Sequence, residues 1–332
     1  MKKIDILYLS QKEVIEVGLT MKDAIAIVED VLREHGLKHF ENPPKPGIHP
    51  LSDAFIHAMP AYLPRKKTGG MKWVSGFPGN YKHGLPTIMG LIVLNDVNTG
   101  QPLVVMDGGY ITNLRTAAVS AVAAKFLANK DARVLGIVGA GIQGRYHLLS
   151  LQEVLPDIEI VKVFDTNAEV SQRFVTMMNA HGPFRIEQGQ SVREVMEDAD
   201  IIVTATGHLD ERLFKEKWVG KGALALPVHT RGWELATLAK VDKFIVDDWA
   251  QFNSFVGGTD GYYAPLPDFY SQLGEIVAGE KPGRQNRDER IIDFNVGVAI
   301  HDVFMASVVL DRAIEKGLGT LLPFMEDNLP LA

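Results

Sequence analysis

Apolar and polar positions along this chain follow two rhythms, and the change falls near residue 116. Before it, strand-like apolar runs at 57–62, 70–76, 86–95 and 102–107 are separated by turn residues such as Asn95-Asp-Val-Asn-Thr-Gly100, the hairpin spacing of an antiparallel sheet. Upstream, Thr20 with Asp23 three residues on opens a helix. Ile25, Val28, Val31 and Leu32 share one face of it until Gly36 stops it. A Pro-rich turn, Asn42-Pro-Pro-Lys-Pro-Gly47, separates that helix from the strands. From Thr116 the Ala-rich helix Thr116-Ala-Ala-Val-Ser-Ala-Val-Ala-Ala-Lys-Phe-Leu127 introduces a regular alternation of strand and helix. Strands are read at 133–138, 159–164, weakly at 184–187, then at 201–205, 223–226 and 243–247. A last helix over 297–316 has a mixed face of Val298, His301, Asp302, Met305, Val308 and Val309, and is expected to return to the first domain.

The fold class predicted is α/β: a doubly wound parallel sheet plus a smaller α+β domain. The domains expected are 1–115 together with 300–332, and 116–299. At the head of the second domain, the apolar strand in Arg133-Val-Leu-Gly-Ile-Val-Gly-Ala-Gly-Ile-Gln-Gly144 runs directly into Gly139-x-Gly141-x-x-Gly144 and a helix. Gly139 allows the tight turn, Gly141 lets backbone N–H groups approach a pyrophosphate at the helix start, and Gly144 lets helix and strand pack closely. The next strand ends in Asp165, about 20 residues past the last glycine, where a carboxylate accepts hydrogen bonds from an adenosine ribose 2′-OH. That favours NAD over NADP, because Asp165 repels a 2′-phosphate. The bland alternative is three glycines serving only turn and packing.

Composition narrows the classes. A net charge of −7 without a Lys/Arg cluster interleaved with aromatics argues against nucleic acid as a partner. The absence of cysteine excludes disulfides, thiolate nucleophiles and Cys-type zinc sites. His35 and His39 lie four apart, but no carboxylate completes a ligand set, so no metal is expected. No run approaches the ~18 apolar residues of a membrane span, and Asp5 with Ser10-Gln-Lys-Glu13 interrupts any signal-peptide core. A cytoplasmic protein is the default expectation. Hydrolase signatures are missing as well.

A hydride-transfer site for an amino or imino acid needs a carboxylate clamp, a proton donor or acceptor near the C–N bond, and a dry nicotinamide face. Arg115, in Asn113-Leu-Arg-Thr116, is the clamp candidate; its planar fork suits a carboxylate in a cleft between domains, and the alternative is an ordinary helix-start arginine. Lys72, within Gly70-Met-Lys-Trp-Val74, is either a solvated outward side chain, the commoner case, or a buried base whose pKa is lowered by burial and by cations such as Lys45 or Arg115. His57 and His229 are further proton-exchange candidates, each with a purely structural alternative.

Four segments carry a resemblance. Ala58-Met-Pro-Ala-Tyr62, Met71-Lys-Trp-Val-Ser-Gly-Phe-Pro-Gly-Asn80, Leu114-Arg-Thr-Ala-Ala-Val-Ser-Ala121 and Leu273-Gly-Glu-Ile-Val-Ala-Gly-Glu-Lys-Pro-Gly-Arg284 resemble the ornithine cyclodeaminase/mu-crystallin family. That family also includes archaeal-type alanine dehydrogenases, cyclic ketimine reductases and lysine cyclodeaminases. The resemblance implies that Lys72 is the catalytic lysine and Arg115 the substrate-carboxylate arginine. It implies that Gly139, Gly141, Ile142, Gln143 and Gly144 form the nucleotide loop, that Thr204, Ala205 and Thr206 pass near the cofactor ribose, and that Phe294-Asn295 lies near the nicotinamide. It further implies a Rossmann domain plus a small substrate and dimerisation domain, with homodimers formed through the sheets of the small domain.

Three departures from the family pattern shape the functional expectation. His57 stands where an arginine is common, Lys45 stands near the place of a cyclodeaminase arginine, and Leu226-Pro-Val-His-Thr-Arg-Gly-Trp-Glu-Leu235 replaces a segment like Asp-x-Pro-Gly-Lys-x-Glu-Leu. The acid that cyclodeaminases use to handle the substrate amine is thus replaced, with His229 its nearest counterpart. A pocket holding Lys45, His57, Lys72, Arg115, His229 and Arg231 offers no carboxylate for a distal ammonium such as ornithine's. The expectation is therefore an NAD-dependent oxidoreductase acting on the C–N bond of a small or acidic amino or imino acid, with Lys45, His57 and Arg115 binding substrate and Lys72 or His229 moving the proton. The alternatives are an ornithine cyclodeaminase-type lyase that recycles NAD, and a non-catalytic ligand-binding protein of the mu-crystallin kind.

Overall fold

The computed structural model describes residues 3–207, 209–257 and 262–325. Strands β1 (Ile4–Leu9), β2 (Gly47–Ile48), β3 (Phe55–Leu63), β4 (Thr68–Gly76), β5 (Ile88–Asn95) and β6 (Pro102–Asp107) precede the long helix Gly109–Leu127. Strands β7 (Val134–Val138), β8 (Ile160–Phe164), β9 (Arg185–Gln188), β10 (Ile201–Thr204), β11 (Leu224–Pro227), β12 (Lys243–Val246), β13 (Ser271–Gln272) and β14 (Ile291–Phe294) follow it, and β15 (Thr320–Met325) comes last. The chain divides into two compact units: Met1–Thr20, His39–Thr112 and Val298–Ala332 form one, Met21–Lys38 and Asn113–Gly297 the other.

In the first unit the described strands form one sheet in the order β15-β1-β6-β5-β4-β3-β2. All neighbours are antiparallel except β1 and β6. Period-two alternation sends His57, Met59, Ala61 and Leu63 of β3 and Thr68, Lys72, Val74 and Gly76 of β4 to the buried face. The helix Ala299–Lys316 packs on β3, β4 and β5, burying Ile300, Val303, Met305, Ala306 and Val309. Its mixed sequence face has a simple cause: His301 and Asp302 are buried too. Asn42, from the Pro-rich turn, accepts a hydrogen bond from the N–H of Ala299 (2.9 Å) and so satisfies one of the helix's orphan donors.

The second unit contains an all-parallel sheet, ordered β13-β12-β14-β11-β10-β7-β8-β9. Buried runs such as Leu224–Pro227 and Lys243–Val246 suit a sheet covered on both faces. Two strands lie outside the six read from sequence. β14 inserts between β11 and β12, and β13 adds two residues at the edge. β14 is only four residues long and carries a buried Asp293, which breaks the apolar run that marks a strand. The helix Met21–Gly36 is a second correction. The sequence grouped it with the small domain, but it belongs to the second unit, because it packs on the helix Leu273–Val277 and Glu29 pairs with Lys125. A Cβ on Gly36 would lie 2.0 Å from the Gly274 carbonyl oxygen, so the residue read as a helix stop is also a close-packing point.

Candidate functional site

Parallel, adjacent strands bring their carboxyl ends to one edge, and the candidate residues of the second unit cluster along it. Asp165 follows β8, Gly139 follows β7, Thr204 ends β10 with Ala205 and Thr206 after it, His229 lies two residues past β11, and Asn295 follows β14. The chain reverses its direction of sheet growth between β7 and β10. A crevice at the carboxyl ends beside such a reversal is the usual ligand position in open α/β sheets.

The glycine loop has the shape its sequence demands. Gly139 has φ +103°, and a Cβ there would lie 2.4 Å from the Ala205 carbonyl oxygen. A Cβ on Gly144 would meet the Gly139 carbonyl oxygen at 2.2 Å, whereas at Gly141 it would meet nothing within 4 Å. Gly141 caps the helix Ile142–Val154, so the loop packs tightly on two sides and is open where backbone N–H groups begin the helix, the arrangement a pyrophosphate needs. Asp165 accepts hydrogen bonds from the N–H of Ala140 and of Asn167, both at 3.0 Å, which ties the carboxylate to the glycine loop. Gln143 donates from its amide to the Asn113 side chain (3.1 Å), joining the helix Ile142–Val154 to the segment that carries Arg115. Thr204 accepts from the Trp233 indole (3.1 Å), which fixes the loop containing His229 against β10.

His229 lies beside Phe214, ring centres 5.2 Å apart, and its ring nitrogens are shielded from solvent. Burial pushes its pKa down to about 4, partly offset by the backbone of Arg231, so the imidazole is neutral at pH 7. On the same loop Glu234 accepts from the N–H of Glu216 (2.9 Å) and pairs with Lys215 (3.2 Å). Arg115 is buried, and its guanidinium lies over Gly297: a Cβ there would be 3.1 Å from Nη1. The N–H of Gly297 donates to Asp247 (2.6 Å) and the amide of Asn295 to Asp293 (2.6 Å). Burial drives the Asp293 carboxyl well above the usual range, opposed by the bond from Asn295 and reinforced by the charge of Asp247. Sequence reading passed over Asp247 and Asp293 because each sits at or beside the end of a short apolar strand.

In the first unit Lys72 occupies the middle of β4, opposite Met59 and Ile92 in the two neighbouring strands. It is 1% exposed, so the commoner expectation of a solvated outward side chain is corrected: the sheet alternation turns it under the helix Ala299–Lys316. Its partner there is a carboxylate rather than another cation, with Nζ 2.7 Å from Asp302 Oδ1 and both side chains buried. Sequence reading noticed Asp302 only as part of a helix face. His57 is buried on β3, stacked on Phe55 (4.3 Å between ring centres) and edge-on to His49 (6.0 Å). Gly47 faces it in register, and a Cβ there would strike the ring at 2.1 Å. Burial first, then the charges of Lys45, His49 and Lys72, lower the His57 pKa to about 4. Lys45, His49, His57 and Lys72 are thus a basic cluster, of which His49 was missed. Among the described residues no group of three or more His, Asp or Glu side chains is arranged to hold a metal ion, and no helix is long and apolar enough to cross a membrane.

Comparison with known proteins gives a full-length likeness. The family model described as ornithine cyclodeaminase/mu-crystallin family matches residues 7–317. The nodulation efficiency protein NfeD of Rhizobium meliloti is 40% identical over 317 residues, covering 96% of this chain and 98% of that protein. Among solved structures, the Δ1-pyrroline-2-carboxylate reductase of Thermococcus litoralis in complex with NADH and L-proline has a TM-score of 0.85 at 33% identity, covering 95% of this chain and 99% of that one. An archaeal alanine dehydrogenase dimer with bound NAD has a TM-score of 0.86 at 33% identity, covering 97% and 100%.

Proposed function

This chain belongs to the ornithine cyclodeaminase/mu-crystallin family, and from that premise we propose that it is an NAD-dependent oxidoreductase acting on the C–N bond of a small amino or imino acid. The observation that carries the reading is Lys72: a lysine is held at 1% exposure in a sheet in a chain whose parallel sheet carries an open glycine loop at its carboxyl edge. A buried ammonium is costly to keep and is retained where charge or proton transfer is needed.

The residues present fit the cofactor. Gly139, Gly141, Ile142, Gln143 and Gly144 would hold its pyrophosphate, Asp165 its adenosine ribose, and Thr204, Ala205, Thr206 and Asn295 its nicotinamide half. When bound, it supplies the hydride acceptor for amine oxidation or, reduced, the hydride donor for imine reduction. Arg115, helped by Lys45 and His57, holds the substrate carboxylate; the arginine does so as a fork and the lysine as a point charge. Lys72 or His229 moves the proton at the substrate nitrogen. A neutral His229 serves there as a hydrogen-bonding or basic group and adds no positive charge.

The cyclodeaminase reading is disfavoured by the 226–235 loop, whose one acid, Glu234, is already engaged by Lys215 and the Glu216 backbone. We also propose that the protein is a cytoplasmic homodimer joined through the outer face of the first sheet, where Trp73, Leu91 and Tyr8 are 43%, 46% and 41% exposed. The test of the function is NADH consumption by purified protein with cyclic imino acids, and with 2-oxo acids plus ammonia. Oxidation of NADH with at least one of them is expected. Bound NADH that survives the whole panel would overturn the proposal.

A further inference from the structure

The pairing of Lys72 with Asp302 assigns a task that neither residue has alone. The two come from distant parts of the chain, β4 and the first turn of the helix Ala299–Lys316. They meet at 2.7 Å with side-chain exposures of 1% and 0%. An acidic residue in the first turn of a helix is favoured by the helix dipole, so the carboxylate has a reason to be charged there independent of the lysine. The elements packed against Lys72 contribute His57 on β3 and His301 beside Asp302 on the helix, with Lys45 and His49 acting on His57 in turn. β5 presents Ile92 and Leu94 to that face. Asp302 thus places a buried carboxylate against Lys72, whose neighbours on the adjoining strands include Met59, Ile92 and the basic His57. A charge buried in that way is kept only by a partner of opposite sign.

We propose that Asp302 is a positioning residue that holds Lys72 as an ammonium and thereby makes it the proton donor to the substrate nitrogen during imine reduction. This rests on the oxidoreductase reading above. In the reductive direction a Lys72 N–H bond breaks and a substrate N–H bond forms, while the α-carbon gains hydride from the reduced nicotinamide cofactor. Lys72 is left neutral beside the Asp302 carboxylate and regains its proton from solvent. In the oxidative direction the same lysine, neutral, takes the amine proton and returns to the ammonium, with Asp302 stabilising the product charge. The assignment chooses Lys72 over His229, which is neutral at pH 7 and so has no surplus proton to give.

The test combines two measurements on the full-length protein. The first follows the Lys72 side chain by NMR in protein labelled with 13C at lysine Cε, the signal being assigned by its loss in Lys72→Arg. The titration is run without cofactor on the native protein, Asp302→Asn and Asp302→Glu. The second is the pH profile of kcat for imino-acid reduction by the same three proteins. In Asp302→Asn the deprotonation of Lys72 and the alkaline limb of kcat are both expected to move at least about one pH unit lower, with NADH affinity unchanged. In Asp302→Glu both are expected to return toward the native position. A Lys72 titration that does not move in Asp302→Asn would overturn the proposal, as would a moved titration with an unmoved alkaline limb. Should Asp302→Asn fail to fold, Asp302→Ser takes its place: a joint lowering of titration and limb supports the proposal, and an unmoved Lys72 titration overturns it. If native protein oxidises NADH neither with cyclic imino acids nor with 2-oxo acids plus ammonia, the oxidoreductase reading fails, while the titration still reports whether Asp302 sets the charge of Lys72.

Discussion

Lys72 has Met59 on one side and Ile92 on the other, so a change to its side chain is felt first as a change of charge in an apolar setting. Truncation to alanine removes both the proposed proton carrier and the partner of Asp302. Lys72→Ala is expected to lower turnover by about 10²–10⁴-fold with NADH affinity nearly intact, measured by steady-state kinetics and cofactor titration; a loss confined to substrate KM would remove the proton-transfer role. Asp165 is the second decisive residue. Its carboxylate is oriented by the N–H groups of Ala140 and Asn167, and in the proposed ribose site it would set negative charge against a 2′-phosphate. Asp165→Ser is expected to relax the preference for NAD over NADP, read as the ratio of kcat/KM for the two cofactors, and an unchanged ratio would mean that the ribose is read elsewhere.

At the scale of elements, buried histidines tie the fold to pH. His147, on the helix Ile142–Val154, donates from Nδ1 to the Gln143 carbonyl (2.8 Å), which leaves Nε2 to accept from the Ser120 hydroxyl (3.0 Å) on the helix Gly109–Leu127. Burial lowers its pKa from 6.5 to about 4. Above pH 6.5 it is neutral whether folded or unfolded, and its full contribution to stability is present. As pH falls from 6.5 toward 4 the unfolded chain takes up a proton that the folded one refuses, so stability declines by about 1.4 kcal/mol per pH unit in that window. Denaturant unfolding of His147→Gln between pH 7 and 4 is expected to show a slope shallower by about one proton, and an unchanged slope would contradict the assignment. Elements also show why some features were legible in the sequence and others were not. The glycine loop was, because each glycine answers a local backbone demand that no other residue meets. β14 was not, since four residues interrupted by Asp293 leave too little apolar pattern. Gly36 read correctly as a helix end, but its contact with Gly274 depends on a segment far along the chain.

For the whole molecule, the alternation of strand and helix after residue 116 made the parallel sheet readable, and hairpin spacing did the same for the antiparallel one. What lay beyond reach was pairing at long range. Asp302 is one acid among many in the sequence, and only the packing of its helix on β3, β4 and β5 makes it the partner of Lys72. The exposed apolar face of the first sheet is a feature of the same scale, since Trp73, Leu91 and Tyr8 acquire meaning only when β4, β5, β6 and β1 are laid side by side. If the proposed dimer forms through this face, Trp73→Asp with Leu91→Glu is expected to convert it to a monomer, seen by light scattering on a sizing column; a dimer mass unaltered by the pair would place the interface elsewhere. The most direct test of the account is to follow NADH and free ammonia together while purified protein and NAD are offered L-alanine, L-glutamate, L-aspartate, L-ornithine, L-lysine and L-proline. NADH is expected to accumulate in step with the amino acid consumed, whereas ammonia released from ornithine or lysine without NADH would overturn the oxidoreductase reading and establish the cyclodeaminase cycle.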